Sequence, residues 1–270
     1  MPREQERARA RRRQAKVDAR LAERRAARQR NRQTAAVVVA VLVVVALFVV
    51  LAAKLGGSSA PSGAAGATTT PGSLNDTVTA AGCTPPPAAP TTVMPMKLPD
   101  KRTAAGRTFV ATLTTNCGDI TIELHGDKAP QTVASFVSLA RSGYWKDSPC
   151  HRLASFGVLQ CGDPLGGKGT GPGYSFGIEN APKDGTYPKG TVAMARQQGK
   201  PDSNGDQFFI CFTDVTLPTG DGGYSVFGTV TGGMDIVVRI AAAGVQGGAG
   251  DGPPAAPISI LRAAVTEKKA

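Results

Sequence analysis

The sequence has few of the side chains on which covalent and metal-dependent catalysis usually depends. It contains two histidines, His125 and His151, and five cysteines, none of which form a Cys-x-x-Cys pair. These spacings do not fit the usual zinc sites. The chain also offers no paired carboxylates and no Ser–His–Asp set, so nothing supports hydrolysis by the usual routes. We therefore expect chemistry that needs no nucleophile, no metal and no cofactor.

Two loop segments match the first part of a known binding motif but lack residues that the motif requires. Residues 162–168 read GDPLGGK, as in a phosphate-binding loop, but Gly169 stands where a Ser or Thr would bind magnesium. Residues 202–206 supply the first three ligand positions of a calcium loop. Gln207 then replaces the required Gly, and Thr213 stands where the bidentate Glu belongs. The sequence therefore predicts neither a nucleotide site nor a calcium site.

A large positive charge is lacking outside the first 34 residues. The chain has a formal net charge of +11, but residues 1–34 contain thirteen Lys/Arg against four Asp/Glu, so the remainder carries only +2. An arginine-rich tail can bind nucleic acid, or it can fix membrane topology and contact anionic lipid headgroups. Because an apolar run follows the tail directly, we favour the second role and expect no nucleic-acid partner.

The apolar run covers residues 35–53, which read AAVVVAVLVVVALFVVLAA without a charge. At 1.5 Å per residue it spans about 28 Å, close to the thickness of the hydrocarbon core. A cleaved signal peptide is the alternative, but its apolar region and its basic leader are normally shorter. We predict an uncleaved transmembrane helix over 35–55. The positive-inside rule then places the basic tail, 1–34, in the cytoplasm and the rest of the chain outside it, on a single-pass anchor in the cell membrane.

Residues 56–105 have few large apolar side chains and are dominated by Gly, Ser, Ala, Thr and Pro. This composition is typical of a disordered linker, stiffened at 84–90 where the sequence reads TPPPAAP. We expect the linker to tether one folded domain over residues 106–267.

Alternating apolar and polar residues in this domain predict many short strands. They lie near 108–115, 119–124, 149–154, 157–161, 191–195, 207–212, 225–230 and 258–265. One helix is predicted to begin at Ala129-Pro130 and to end near Gly143, and a second to cover about 234–242 before Gly244. Many strands with two helices indicate a mainly β fold, either a barrel or a sandwich with helical caps.

Two segments carry the clearest motifs. The first runs from Cys150-His151-Arg152 to Gln160-Cys161-Gly162-Asp163, and the second, 203–210, reads SNGDQFFI. They are accompanied by YSF at 174–176, EN at 179–180, GTVAMA at 190–195 and SVFG at 225–228. In this order and spacing, the motifs make residues 107–267 resemble the cyclophilin family.

The resemblance implies a peptidyl-prolyl cis–trans isomerase built as a closed eight-stranded antiparallel β-barrel, with two capping helices and a proline-binding groove on its outer face. The implied catalytic residues are Arg152, Gln160 and Phe209. The implied substrate-binding residues line the groove: Phe156, Val158, Ala195, Gln207, Leu217 and Tyr224. The expected partners are proline-containing polypeptides, and the predicted location makes them secreted or cell-envelope proteins.

Isomerisation suits a site without a nucleophile. The amide rotation barrier is about 18–20 kcal/mol, and X–Pro bonds are the ones that populate both isomers. Because no covalent bond breaks, a site needs only to bind the twisted amide more tightly than either planar form. A guanidinium, here Arg152, can donate to the proline nitrogen once its lone pair localises, and Phe209 can form the floor of an apolar pocket. A proline-peptide binding or chaperone module with little catalysis is the alternative.

The hairpin that follows Arg152 departs from the family. Where the family has Pro-Gly-Phe, this chain has Ser155-Phe156-Gly157, so Gly157 takes the position of the pocket Phe and Phe156 comes one residue early. Either a rearranged loop brings the Phe156 ring into the pocket, or the pocket has no such ring.

Three further positions differ. Leu217 and Tyr224 stand where many eukaryotic members have Trp and His, which implies weaker binding of cyclosporin, and Arg196 replaces the usual Asn.

The expected location outside the cytoplasm permits disulfides. Cys150 and Cys161 flank two strands that should pair as a hairpin, so a cross-strand bond between them is geometrically allowed. Cys83 would then join Cys117 and attach the linker to the barrel, leaving Cys211 free. Other pairings, or free thiols, stay open at this point.

Overall fold

The computed structural model describes residues 74–169 and 171–269 of the 270-residue chain. The predicted basic tail (1–34) and the predicted transmembrane helix (35–55) lie outside these residues. Among the residues that are described, no helix has the length and hydropathy needed to cross a bilayer.

The described residues form three α-helices, two short 3-10 turns and twelve strands. The helices are α1 (Leu74–Ala80), α2 (Pro130–Arg141) and α3 (Met234–Ala243), and the 3-10 turns are Lys101–Thr103 and Gln246–Gly248. The strands are β1 (Thr108–Thr115), β2 (Gly118–His125), β3 (Ser148–Pro149), β4 (Arg152–Ala154), β5 (Val158–Cys161), β6 (Thr186–Tyr187), β7 (Thr191–Met194), β8 (Phe208–Cys211), β9 (Val215–Thr216), β10 (Val226–Gly232), β11 (Asp251–Gly252) and β12 (Ser259–Glu267).

The mainly β fold is confirmed, and both predicted helices are present. The eight predicted strands all contain observed strands, and the predicted helices correspond to α2 and α3. In β1, buried and partly exposed residues alternate strictly, which is the pattern that predicted it. The strands β6, β9 and β11 were not predicted, because two residues are too few to show a period.

Ten strands form one antiparallel sheet in the order β11-β4-β5-β8-β7-β10-β2-β1-β12-β3, and β6 pairs with β9 separately. The strands β3 and β4 belong to one stretch of chain, 148–154, yet they lie toward opposite ends of this order, so the sheet curls round. The predicted closed barrel of eight strands is wrong: no ladder joins the two ends of the described sheet. The physical reason is that the chain leaves the strand conformation at Cys150 and His151 and changes partner there.

The main core lies inside the curled sheet, where α2 and α3 contribute their apolar faces. Four aromatic rings pack at inclined angles in it, with Phe136 at 4.6 Å from Trp145, 5.5 Å from Phe208 and 5.4 Å from Phe227 between ring centroids. The indole N–H of Trp145 donates to the Gly162 carbonyl at 2.9 Å, so the ring also provides a partner for a backbone carbonyl at the start of the loop that follows β5. Aromatic pairs of this kind hold β8 and β10 against α2.

The N-terminus of α2 is capped from a distant loop. The Glu179 carboxylate accepts hydrogen bonds from the backbone N–H groups of Gln131 and Thr132, at 3.0 and 2.8 Å, and from the Thr132 hydroxyl at 2.8 Å. The N-cap residue, Ala129, has no side chain that could accept these hydrogen bonds. The Glu179 carboxylate accepts them instead, and its negative charge interacts favourably with the positive end of the helix dipole. The Glu-Asn motif at 179–180 therefore has a structural role.

The described part of the predicted linker, 74–105, contacts the domain at several points, including backbone hydrogen bonds from Thr84 to Asn116 and from Met96 to Pro172. It begins with α1 and includes the 3-10 turn at Lys101–Thr103. Val78 and Ala81 are buried in the main core, and Cys83 is bonded to Cys117. The composition concealed this, because the stabilising contacts come from a few small residues and one disulfide.

Candidate active site

Three of the predicted site residues lie side by side on three neighbouring strands. Arg152 in β4 is opposite Gln160 in β5, and Gln160 is opposite Phe209 in β8. Residues directly opposite each other in antiparallel strands share one face of the sheet, with Cβ atoms about 4.5–5.5 Å apart. The register therefore gathers Arg152, Gln160 and Phe209 on one face.

This face is opposite the main core. Along β8, Phe208 is buried in the main core, whereas Phe209 is buried in a second, smaller apolar cluster. The smaller cluster contains four more of the predicted groove residues: Val158, Ala195, Leu217 and Tyr224. Because side chains alternate along strands, two adjacent phenylalanines serve two different surfaces.

A line of hydrogen bonds crosses the site. The Arg152 guanidinium donates from Nε and Nη2 to the two carboxylate oxygens of Asp251, at 2.7 and 2.6 Å, and from Nη1 to Gln160 Oε1 at 3.0 Å. Gln160 Nε2 donates to Gln207 Oε1 at 2.7 Å, and Gln207 Nε2 reaches Asp163 Oδ2 at 3.3 Å. The predicted residues Arg152, Gln160 and Gln207 are thus one connected group with a carboxylate at each end.

The residues at the two ends of this line, Arg152 and Asp163, fix the donor-to-acceptor direction of its hydrogen bonds. Arg152 can only donate, and Asp163 accepts from the backbone N–H groups of Leu165 and Gly169 at 2.9 and 2.7 Å. Each glutamine must therefore turn its oxygen toward Arg152 and its NH₂ group toward Asp163. Asp163 is fully buried and anchors the line in the glycine-rich loop.

The apolar pocket next to this line is built from aromatic rings. The Phe209 and Tyr224 rings meet edge to face, with centroids 5.6 Å apart and an angle of 83° between the planes. Tyr187 lies 6.3 Å from each of them. Its hydroxyl oxygen accepts the backbone N–H of Tyr224 at 2.8 Å, and burial raises its pKa, so it stays neutral. Tyr187 thereby holds the loop that presents Tyr224.

Arg196 supports the same ring from outside. Its guanidinium carbon lies 4.9 Å from the Tyr224 ring centroid, and its Nε donates to the Gly223 carbonyl at 2.7 Å. A cation over a tyrosine face is attracted by the ring quadrupole. Arg196 therefore stabilises the position of the Tyr224 ring.

The structure does not bring Phe156 into the pocket. Its side chain is 53% exposed at the tip of the β4–β5 hairpin and lies outside the smaller apolar cluster. At the next position, a Cβ on Gly157 would lie 2.3 Å from Val215 Cγ1 and 2.6 Å from Thr213 Cγ2. The prediction that Phe156 lines the groove is therefore corrected: Val215 and Thr213 occupy the space beside the hairpin.

An open cleft of about 840 Å³ adjoins the site. Gln160 and Gln207 form its wall on the side of Arg152, and Ala195 and Arg196 form its wall on the side of Tyr224. A polypeptide whose proline lies in the apolar pocket can extend its neighbouring residues into this cleft.

Two titratable groups near the site have pKa values shifted by burial. Burial raises the pKa of Asp206 to about 6, and its carboxylate accepts the Tyr144 hydroxyl at 2.7 Å. Burial lowers the pKa of His151, whose Nδ1 has no hydrogen-bond partner among the described residues. His151 is therefore neutral near pH 7.

The cysteines form the two disulfides that were considered from the sequence. Cys150 is bonded to Cys161 and Cys83 to Cys117, while Cys211 has a free, buried thiol whose pKa burial raises to about 12. Within 74–169 and 171–269, no group of three or more His, Cys, Asp or Glu side chains is arranged to hold a metal ion.

Asp251 and Tyr187 were missed by the sequence analysis. Asp251 follows a run of glycines and alanines, and Tyr187 lies in a two-residue strand, so neither belongs to a recognisable motif. One signal was available: in a segment as poor in charge as 244–258, the acid is the single charged residue.

Comparisons with known proteins point to one family. Residues 110–265 match the family model for the cyclophilin type peptidyl-prolyl cis-trans isomerase/CLD. The probable peptidyl-prolyl cis-trans isomerase B of Mycobacterium tuberculosis is 41% identical over 199 residues, which are 67% of this chain and 62% of that relative. A peptidyl-prolyl cis-trans isomerase of Helicobacter pylori is 37% identical over 142 residues, covering 52% of this chain and 85% of its own length.

The fold is also similar to that of a solved structure. It is a cyclophilin type peptidyl-prolyl cis-trans isomerase of Cryptosporidium parvum, crystallised in the presence of the dipeptide Ala-Pro. The TM-score is 0.51 and the identity 28%, and the match covers 58% of this chain and 98% of that chain. The family model matches more than half of the chain, and the chain therefore belongs to the cyclophilin family.

Proposed function

We propose that this chain catalyses the cis–trans isomerisation of X–Pro peptide bonds. The observation that supports the proposal most strongly is the register that puts Arg152 and Phe209 on either side of Gln160. A guanidinium and an apolar aromatic pocket on one face are the two features that a proline amide requires. The first can hydrogen-bond the amide nitrogen, and the second can hold the ring.

Arg152 keeps donors for the substrate. An arginine has five N–H groups, and the hydrogen bonds to Asp251 and Gln160 use three of them. One N–H therefore remains on each Nη. When the amide twists, its nitrogen becomes a hydrogen-bond acceptor, and a donor that is already in place stabilises the twisted form more than either planar form.

The other residues have binding roles. Phe209 forms the floor of the pocket, and Val158, Leu217 and Tyr224 form its apolar sides. Gln160, Gln207 and Ala195 border the adjoining cleft, where the substrate backbone would lie. Leu217 and Tyr224, in place of Trp and His, support the further proposal that cyclosporin binds only weakly.

Exchange spectroscopy on a short Ala-Pro peptide tests the proposal. The rate of interconversion of the cis and trans forms is measured by NMR with the purified full-length chain and with the buffer alone. We expect the chain to accelerate interconversion at a small molar fraction of the peptide. A rate equal to the uncatalysed rate, with the chain folded, would exclude the isomerase activity.

A second candidate is a proline-peptide binding or chaperone module with weak catalysis. The observation in its favour is that the hairpin puts no ring at Gly157 and leaves Phe156 exposed. In this case the same peptide would bind, seen as shifts of Leu217 and Tyr224 resonances, without faster exchange between its isomers.

We also propose that the isomerase domain acts outside the cytoplasm on secreted or cell-envelope proteins. The support is the charge-free run at 35–53 with thirteen basic residues before it, and the two disulfides in the domain. Disulfides persist in oxidising compartments and are rare in the cytosol. The whole chain is then a single-pass membrane protein with a cytoplasmic N-terminus.

Protease protection tests this topology. Protease added to intact cells from which the wall has been removed should degrade the domain and leave a fragment containing the N-terminal tail. Protection of the domain in intact cells, with degradation only after lysis, would contradict it.

A further inference from the structure

Asp251 binds the guanidinium of Arg152 along one entire edge. The two hydrogen bonds, Nε to Oδ1 at 2.7 Å and Nη2 to Oδ2 at 2.6 Å, join this edge to both carboxylate oxygens, so the pairing is bidentate. Gln160 holds a third nitrogen, Nη1, at 3.0 Å. All three nitrogens of Arg152 are therefore fixed by two partners.

The backbone places this acid, so the pair does not depend on two flexible side chains finding each other. Asp251 begins β11, which pairs with β4, the strand that contains Arg152. Asp251 is opposite Ala154 in the ladder, and the Ser155 N–H donates to the Gly250 carbonyl at 2.8 Å. An Asp side chain has only one carbon between Cα and the carboxylate, so its reach is short and its position well defined.

Stability does not explain the pair. The side chains of Arg152 and Asp251 are 37% and 49% exposed, and ion pairs this exposed contribute little to folding. The hydrogen bonds that Arg152 donates to Asp251 raise the pKa of Arg152, but an arginine is charged at neutral pH without such help. What the carboxylate supplies is orientation: it removes the rotational freedom of a long side chain whose free N–H groups must meet a reacting nitrogen.

We propose that Asp251 is the positioning residue of the active site, which orients the Arg152 guanidinium toward the proline nitrogen. The inference rests on the isomerase function proposed above. Asp251 touches no substrate itself; it fixes the edge of Arg152 that faces away from the two remaining N–H groups. Gln160, held in turn by Gln207 and Asp163, completes the same alignment from the other side.

The first test is the kinetics of Asp251→Ala and Asp251→Asn in the full-length chain. Losing both charge-assisted hydrogen bonds should lower kcat about tenfold or more. KM should stay within about twofold, because the apolar pocket that binds the ground state is unchanged. The Asn variant keeps one acceptor oxygen, so its kcat should fall less, by about threefold. Glu123→Ala, which breaks the ion pair between Glu123 in β2 and Lys268, is the matched control and should leave kcat unchanged.

A double-mutant cycle shows whether Asp251 acts through Arg152. In an Arg152→Ala background, Asp251→Ala should cause no further loss of kcat, because the group that it orients is gone. An additional loss of the same size in both backgrounds would overturn the proposal, as would an equal rise in KM. The melting temperature should change by no more than about 3 °C, which separates positioning from a structural role. A rise in kcat for Asp251→Ala would also overturn it, since Asp251 would then sequester Arg152.

A spectroscopic measurement does not depend on catalysis. The Nε–H resonance of Arg152, assigned by its disappearance in Arg152→Lys, should exchange slowly with water in the wild type and quickly in Asp251→Ala. If the wild-type chain fails to accelerate isomerisation but shows this protection, the proposed function fails while the alignment stands. If the resonance exchanges as fast in the wild type as in the variant, the positioning proposal fails whatever the activity.

Discussion

Gly157 packs so closely on Val215 that a Cβ at this position would lie 2.3 Å from Val215 Cγ1. Real Cβ atoms do not approach a carbon this closely, and the Gly157 backbone has a φ of +136°, which L-residues rarely adopt. The hairpin therefore has no room for a side chain at position 157, which the spacing from Arg152 equates with the expected pocket Phe. The close contact between Gly157 and Val215 therefore excludes an aromatic ring at this position.

Replacing Gly157 with Ala should therefore destabilise the domain. We expect the free energy of unfolding to fall by about 2–4 kcal/mol, the sum of backbone strain and overpacking against Val215 and Thr213. Urea denaturation of the full-length chain measures it. The control is Gly199→Ala, where φ is +72° but nothing lies within 4 Å, and the cost should be about 1 kcal/mol. Equal losses in the two variants would show that the contact with Val215 is unimportant.

Removing the Phe156 ring should have little effect. Because it is 53% exposed and outside the apolar cluster, Phe156→Ala should keep the isomerisation rate within about twofold and the stability within about 0.5 kcal/mol. Phe209→Ala is the comparison: it empties a buried position of the cluster and should cost about 3–5 kcal/mol, with loss of activity. A large loss of activity in Phe156→Ala would mean that the ring enters the pocket when substrate binds.

The two disulfides should have separable effects. Cys150 and Cys161 are 11 residues apart and Cys83 and Cys117 are 34 apart, so chain entropy predicts about 3 and about 4 kcal/mol of stabilisation. Double Cys→Ala variants measured by urea denaturation check both values. Only the Cys150–Cys161 variant should also lower the isomerisation rate, because that bond joins the backbone on either side of Arg152 and Gln160. Equal activity in the two variants would contradict this coupling.

Asp206 should make stability depend on pH in an unusual direction. Burial raises its folded pKa to about 6 from an ordinary value of 3.8, so the folded state binds the proton more tightly than the unfolded state does. Its contribution is therefore most favourable below about pH 4 and is lost as the pH rises to about 6, a difference of about 3 kcal/mol at most.

The variant Asp206→Asn tests this directly, since its side-chain oxygen can still accept from Tyr144. The difference in unfolding free energy, variant minus wild type, should grow in favour of the variant between pH 4 and pH 6. Asp202→Asn, an exposed acid in the same loop, controls for the loss of a charge. If this difference in unfolding free energy stayed constant between pH 4 and pH 6, the buried Asp206 would be excluded as a cause of pH-dependent stability.

The features that could be predicted from the sequence are the strands, from their periodicity, and the site residues, from the spacing of the motifs. The strands β1 and β2 were expected because their residues alternate, and Arg152, Gln160, Gln207 and Phe209 because their spacing is that of the family. The closure of the barrel was predicted wrongly, because a break of two residues, at Cys150 and His151, changes the partner of a strand without changing its composition.

The residues that were not foreseen act through tertiary contacts. The helix α1 has a composition that resembles a linker, and it is held by burial of Val78 and by the bond from Cys83. Asp251 is more than ninety residues from Arg152 in the chain, and only the pairing of β11 with β4 brings them together. No local pattern reports such a contact, so the partner of the central arginine could be found only in the folded chain.

The most direct measurement compares Arg152→Ala and Arg152→Lys with the wild type in the NMR exchange assay on an Ala-Pro peptide, with peptide affinity measured on the same samples. Loss of the donor to the twisted amide should lower the isomerisation rate about a hundredfold in Arg152→Ala and less in Arg152→Lys. The affinity should stay within about threefold, because the pocket around Phe209 is intact. An Arg152→Ala chain that isomerises the peptide as fast as the wild type would contradict a catalytic role for Arg152.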